Sequence, residues 1–152
     1  MTEKTLVLIK PDAMIKQLAG NIISDLYKLN LEMIGLKLVN VQKELAEAHY
    51  EEHKGKKFYE GLIDYITGKL HDNENVIAIV YQGEKAIQKI REFIGETNPD
   101  RASPKSIRGK YGKVHTEKNN WHETVLHASD SIESAKREID LWFDKKELIN
   151  HS

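Results

Sequence analysis

Apolar positions along the chain fall into two rhythms. "KTLVLIKP" carries four apolar residues in a row, Leu6–Ile9, closed by Lys10 and Pro11, which reads as a short buried strand ended by a breaker. From Gly20 to Asn30, Ile22, Ile23, Leu26 and Leu29 return at the spacing of one helix face. "LEMIGLKLVNV" alternates as a strand, with Gly35 marking a bulge or a close contact. Two short helices split near Gly55 are predicted between Lys43 and Thr67. "NVIAIVYQG" is β-branched and bounded by Asn and Gly, the clearest buried strand in the sequence. Helix returns over Glu84 to Ile94 with a stripe of Ala86, Ile87, Ile90 and Ile94. The stretch "GETNPDRASPKSIRGKYGKVHTEKNN" then loses all apolar periodicity, and a loop this long inside a domain is commonly functional. "HETVLH" is a fourth strand. Asp130 and Glu133 form a D-x-x-E capping box before a helix over Ser131–Phe143, whose stripe is Ile132, Ala135, Ile139 and Trp142.

Strand, helix, strand, helical insertion, strand, helix, loop, strand, helix is the order of two βαβ halves. It predicts an α+β chain with a ferredoxin-like, split βαβ fold, a four-stranded antiparallel sheet covered by helices. At 152 residues, without repeats or linkers, one domain over 1–152 is expected. Charged residues make up 31% of the chain but the net charge is only −1, so nucleic acid is not expected as the main partner. The absence of cysteine removes disulfides and thiolate metal sites, and no apolar run is long enough for a leader or a membrane span. A cytoplasmic location is the expectation.

The phosphate loop, dinucleotide fingerprint, zinc-protease helix and nucleophile elbow are all missing from the sequence. Gly109-x-x-Gly112 with an internal lysine resembles a KH-type clamp, but that motif needs helices on both sides and both flanks here read as loop. What remains is scattered. Lys10 ends a strand; Tyr50, His53 and Phe58 sit in the helical insertion; Arg91, Thr97 and Arg108 flank the long loop; His127 ends the last strand and Glu138 lies on the final helix. Taken singly, each has an ordinary surface or core explanation.

Together the motifs resemble a family. "LVLIKPDA", "EAHYEEHKGKKFYEGLIDYITG", "VIAIVYQGEKAI", "GETNPDRASPKSIRGKYG" and "LHASDSIESAKREIDLWF" are collinear with nucleoside diphosphate kinases from about Thr5 to Leu148. The resemblance implies γ-phosphoryl transfer from a nucleoside triphosphate to a nucleoside diphosphate by a ping-pong route through a phosphohistidine on His127. It implies Glu138 as the carboxylate orienting that imidazole, and Ser129 as a hydrogen-bonding neighbour. Lys10, Arg91 and Arg108 match the family's phosphate- and sugar-binding cations, and Thr97 its phosphate-binding hydroxyl. Tyr50 matches a tyrosine near the transferred group, His53 a histidine near the phosphates and Phe58 the aromatic under the base. Mg²⁺ is implied as a companion of the nucleotide phosphates, with no metal ligands supplied by the protein. A homo-oligomer is implied, a hexamer in preference to a tetramer. An imidazole with an unperturbed pKa would lose its nucleophilic form around pH ~6.5, so the rate is expected to drop on acidification through that value.

Two positions depart from the family. Thr124 stands where an asparagine usually contacts the ribose, and "VHTEKNNWHE" just upstream is an insertion relative to shorter members, which makes Asn119 or Asn120 the candidate source of the missing amide. Ala128 stands where glycine is common, and its methyl group disfavours positive φ. The alternative is a non-catalytic ferredoxin-like module, regulatory or nucleic-acid binding, supported by the GKYG segment and the basic run His53–Lys57.

Overall fold

The computed structural model describes residues 1–99, 101–116 and 121–150. Its centre is an antiparallel sheet in the order β2-β3-β1-β6, from β2 (Glu32–Asn40), β3 (Asn75–Glu84), β1 (Thr2–Ile9) and β6 (Leu126–Ala128). This is the expected ferredoxin-like architecture. The continuous apolar runs in β1 and β3 follow from burial on both faces. Leu6, Leu8, Ala78 and Val80 pack on one side, where α3 (Lys43–His49), α4 (Tyr59–Ile66) and α7 (Ile132–Trp142) supply Ala46, Ile63, Ile66, Ile139 and Trp142. Val7, Ile9, Ile79 and Tyr81 pack on the other, against Ile22 and Leu26 of α2 (Ala19–Leu26) and Ile90 and Ile94 of α5 (Ala86–Ile94). Each such aliphatic side chain taken fully from water stabilises the fold by about 1.5–3 kcal/mol.

Local chemistry explains the turns. Pro11 occupies the first turn of the short helix α1 (Pro11–Ile15), where a missing N–H costs nothing. Gly35 satisfies both of its expected roles: the β2–β3 register shifts between Met33 and Gly35, and a Cβ there would stand 2.6 Å from the Leu148 side chain. No helix among the described residues is long and apolar enough to cross a membrane.

Three expectations are corrected. The aperiodic stretch contains a helix, α6 (Ile107–Tyr111), and a strand, β4 (Lys113–Thr116), which pairs with β5 (Trp121–Glu123) in a separate two-stranded sheet. Ser106 caps α6 by accepting the Gly109 N–H at 3.1 Å, a short-range signal that apolar periodicity cannot register. The single strand read in "HETVLH" is two strands, β5 and β6, broken at Val125. The N-cap of α7 is Ser131, which accepts the Ser134 N–H at 3.1 Å, so the Asp130–Glu133 box is displaced by one residue. Ile132 then falls on the solvent side, 54% exposed, and the buried stripe becomes Ala135, Glu138, Ile139 and Trp142. A charged residue has taken a core position.

Candidate active site

The break between β5 and β6 is a three-residue turn. The Leu126 N–H donates to the Thr124 carbonyl at 2.7 Å, and Val125 between them has φ 70°. A β-branched residue in that region is strained by about 1–3 kcal/mol and persists only where its surroundings fix it. Here they do. Asp12 accepts the Val125 N–H at 3.2 Å and the Tyr65 hydroxyl in a very short bond, Tyr65 in turn accepts the Thr124 N–H at 3.1 Å, and the Lys10 N–H donates to the Val125 carbonyl at 2.9 Å. All of this sits two residues before His127, whose own backbone is paired with Leu8 in the sheet. The positive φ thus falls at Val125, and Ala128 meets no such demand.

His127 contacts Glu138 through Nε2, at 2.5 Å from Oε1. The same oxygen accepts the Ser129 hydroxyl at 3.1 Å, while Ser129 Oγ accepts the Leu6 N–H at 3.2 Å. An oxygen taking bonds from two sides is a carboxylate acceptor. It places the imidazole proton on Nε2 and leaves the Nδ1 lone pair free. Glu138 is buried, and burial raises its pKa, with His49, Ser129 and Arg137 pulling the other way. His127 is partly open, its side chain 21% exposed. Burial, then the charges of Lys10 and Arg108, hold its pKa well below the ordinary 6.5. The acid loss expected around that value is therefore corrected to lower pH.

The cations are held by their neighbours. Lys10 Nζ donates to Thr124 Oγ1 at 2.8 Å and lies 4.9 Å from the centre of the Tyr65 ring. Burial, reinforced by Arg108 and opposed by Asp12, lowers its pKa to about 7. Arg108 donates from Nε to the Thr124 carbonyl at 3.1 Å, from one terminal nitrogen to Gly95 at 3.1 Å and from the other to Leu126 at 2.8 Å. Burial and Arg91 lower it to about 10, so it keeps its charge at neutral pH. Among the described residues, two of its five N–H donors have no partner. Arg91 reaches the Ala128 carbonyl at 3.4 Å.

Lys10, Tyr50, His53, Phe58, Arg91, Thr97, Arg108, Thr124, His127 and Glu138 all line one cleft of about 500 Å³, and Ser129 lies buried beneath it. Phe58 is at the mouth, 41% exposed, with the His53 ring 5.3 Å away. Tyr50 is buried, and burial raises its phenol well above the usual range. Thr124 does not simply replace an amide, because its hydroxyl oxygen already accepts a hydrogen bond from Lys10 Nζ. Asn119 and Asn120, proposed for that role, lie outside the described residues.

Sequence reasoning missed Asp12, His49, Tyr65 and Arg137. Arg137 donates to the Ala48 and His49 carbonyls at 3.0 and 3.2 Å, tying α7 to the end of α3. All four lay within the quoted motifs, and for Asp12, His49 and Tyr65 burial was the missing signal. One nitrogen each from His49 and His127 and one Glu138 oxygen lie within 4.8 Å of one another, a trio dense enough to suggest a metal. Its hydrogen bonds argue otherwise. Trp142 Nε1–H donates to His49 Nδ1 at 3.0 Å, so His49 could ligate through Nε2 only by moving its proton to Nδ1 and giving up that bond.

The family model described as "Nucleoside diphosphate kinase" matches residues 3–148. The chain belongs to the nucleoside diphosphate kinase family. A Pyrococcus furiosus nucleoside diphosphate kinase is 46% identical over 149 residues, covering 98% of this chain and 88% of the relative. Among solved structures, a transition-state mimic of the Borrelia burgdorferi nucleoside-diphosphate kinase with bound vanadate and ADP aligns with a TM-score of 0.89 at 30% identity, covering 99% of this chain and 92% of that one. The halophilic nucleoside diphosphate kinase of Halobacterium salinarum in complex with CDP aligns at 0.87 with 35% identity, over 100% and 94%. Family membership thus joins a cleft assembled from five separate parts of the sequence.

Proposed function

We propose that this chain, a single domain over residues 1–152, moves the γ-phosphoryl group of a nucleoside triphosphate to a nucleoside diphosphate through a phosphohistidine on His127. The observation that carries the reading is the Glu138–His127 contact, which leaves a nucleophilic nitrogen unprotonated beside Lys10 and Arg108. The Nδ1 lone pair attacks the γ-phosphorus, the bond from phosphorus to the bridging oxygen breaks, and the electron pair leaves on the nucleoside diphosphate. In the return half-reaction a terminal oxygen of a second diphosphate attacks the same phosphorus and the N–P bond breaks, restoring the lone pair.

Glu138 and Ser129 orient the ring. Lys10, Arg91, Arg108, Thr97 and His53 serve the phosphates, and Thr124 serves the sugar with Lys10. Tyr50 lies beside the transferred group. Phe58 offers a π-face to the base, which gives affinity with little discrimination. Fixed donors aimed at the spreading charge are most of what phosphoryl transfer needs from a protein. Mg²⁺ fits as a companion of the phosphates, because the densest ligand trio among the described residues is rich in nitrogen and this hard cation prefers oxygen. When bound, it neutralises charge on the phosphate oxygens.

A homo-oligomer, a hexamer in preference to a tetramer, and a cytoplasmic location complete the proposal. Support for assembly comes from family membership and from β2, which ends the sheet and leaves Leu36 and Leu38 52% and 62% exposed. The non-catalytic alternative gains nothing from the GKYG segment, since Lys110 is bound to Asp25 at 2.9 Å and a Cβ at Gly109 would stand 1.9 Å from the Ser103 carbonyl. These glycines serve packing. Incubation with γ-labelled ATP is expected to give an acid-labile, base-stable phosphoprotein that nucleoside diphosphate discharges, and His127→Ala is expected to abolish it. A variant that still labels fully refutes the assignment.

A further inference from the structure

His49 ends α3 inside the cleft, and the reaction above gives it no task. It is almost entirely buried, and its ring stands edge-on to His127 with centroids 4.5 Å apart. Two histidines and one carboxylate at this range pose a problem. Glu138 has a nitrogen of each ring within 4.8 Å, so an ionised His49 would compete with His127 for the carboxylate and repel any positive charge on it.

Trp142 removes the ambiguity. An indole N–H only donates, so its 3.0 Å bond to His49 Nδ1 requires a lone pair there and sets the proton on Nε2. A second proton has no place on Nδ1 unless that bond breaks. The neighbourhood works in the same direction. The groups facing His49 are His127 from β6, Lys10 from the end of β1, Tyr50 beside it, and Glu138, Arg137 and Trp142 from α7. Burial, His127, Lys10 and Arg137 all oppose a positive ring, and only Glu138 favours one.

We propose that His49 is a positioning residue: an uncharged ring, locked in one tautomer by Trp142, that walls the nucleophile and keeps the Glu138 carboxylate committed to His127. Because it works through His127, this role rests on the proposed reaction. The lock predates the nucleotide and is present in the folded chain alone.

Two measurements test it. Long-range ¹H–¹⁵N correlation of the imidazoles at pH 7 is expected to show His49 neutral with its proton on Nε2. A proton on Nδ1, or an imidazolium, overturns the proposal without reference to activity. The second measurement is the pH profile of kcat/KM. Trp142→Phe keeps a buried ring but loses the donor that favours the neutral form, so the acid limb is expected to move up by about one pH unit. Adding His49→Phe to Trp142→Phe is expected to return the limb to the wild-type position, whatever the rate at its plateau. A Trp142→Phe limb that coincides with wild type, or one that survives His49→Phe, overturns the proposal. Absence of phosphohistidine in the wild-type protein would instead defeat the reaction itself.

Discussion

At the inner end of the cleft, Lys10 and Arg108 are buried and both tied to Thr124, one through its hydroxyl and the other through its carbonyl. At the outer end, Phe58, Arg91 and Thr97 are exposed, and Arg91 is held by one long bond to the Ala128 carbonyl. The inner side chains are fixed before any ligand arrives, and their geometry is set by the strained turn at Val125. The outer ones must be ordered by the ligand. Charge development at phosphorus needs donors that do not reorganise, whereas a base that is only stacked needs none. The contrast in rigidity is the one expected of a site that is strict about phosphate and permissive about base.

The sharpest way to break the contrast is at Arg108. Arg108→Ala is expected to lower kcat/KM by about 10²–10³, in line with the loss of a preorganised donor, and also to lower the melting temperature. The second effect follows because the Thr124 and Leu126 carbonyls lose partners in a buried setting, each costing about 1–3 kcal/mol. Arg108→Lys keeps the charge but cannot span three carbonyls with a planar fork, so it is expected to recover little. Quenched-flow measurement of phosphohistidine formation, with thermal melts, checks both. Recovery by lysine to within tenfold would mean that charge alone matters at the inner end.

A second way exploits titration. With a pKa of about 7 in the free protein, Lys10 is cationic below neutrality and an amine above it. If the cation binds phosphate, kcat/KM is expected to fall above pH 7, approaching tenfold per pH unit, because this parameter reports free protein. Bound phosphate restores the proton, so kcat is expected to stay level to higher pH. On the acid side both are expected to remain level through pH 6.5, since His127 is held below that value. Stability follows from the same two shifts, and for Lys10 it runs opposite to kcat/KM. Folding favours the neutral form of both groups, so the Lys10 contribution is complete above 10.5 and fades as pH falls to about 7, and that of His127 is complete above 6.5 and fades below it. Steady-state rates from pH 5 to 9 decide the matter, and a level kcat/KM through pH 9 would show that Lys10 keeps its proton unaided.

The same division separates what was legible in the sequence from what was not. β1, β3 and α5 announced themselves because their apolar patterns are long and unbroken, and Phe58, Arg91, Thr97 and His127 stood in motifs of fixed spacing. The Val125 turn left no such trace. Valine is a strand former, and its positive φ is imposed by three groups distant in sequence, on Lys10, Asp12 and Tyr65. α6 was hidden because five residues do not establish a period, although its serine cap was visible. Glu138 and Ile132 exchanged places relative to the expected stripe for a related reason. Ala135, Ile139 and Trp142 keep the expected face, but Ile132 lies in the first turn and stays exposed. Glu138 is buried on that face because His127 and Ser129 supply partners that apolar periodicity does not register. Periodicity reads what is repeated, while the inner site consists of interactions that occur once.

The gentlest test lies at the mouth. Phe58 is 41% exposed and its neighbours are the His53 ring at 5.3 Å and the Lys56 ammonium at 5.7 Å, so little of the fold depends on it. Phe58→Ala is expected to leave the melting temperature within a degree or so of wild type. A stacked base is worth about 1–3 kcal/mol, and a half-open ring belongs at the lower end, so KM for the nucleotide is expected to rise about fivefold with kcat unchanged. Because a π-face accepts any base, the increase should be similar for adenine, guanine and cytosine nucleotides. Paired titrations with ADP, GDP and CDP measure this directly. An effect confined to one base, or one that falls on kcat, would place a specific or reacting contact at the outer end and erase the distinction between the two halves of the cleft.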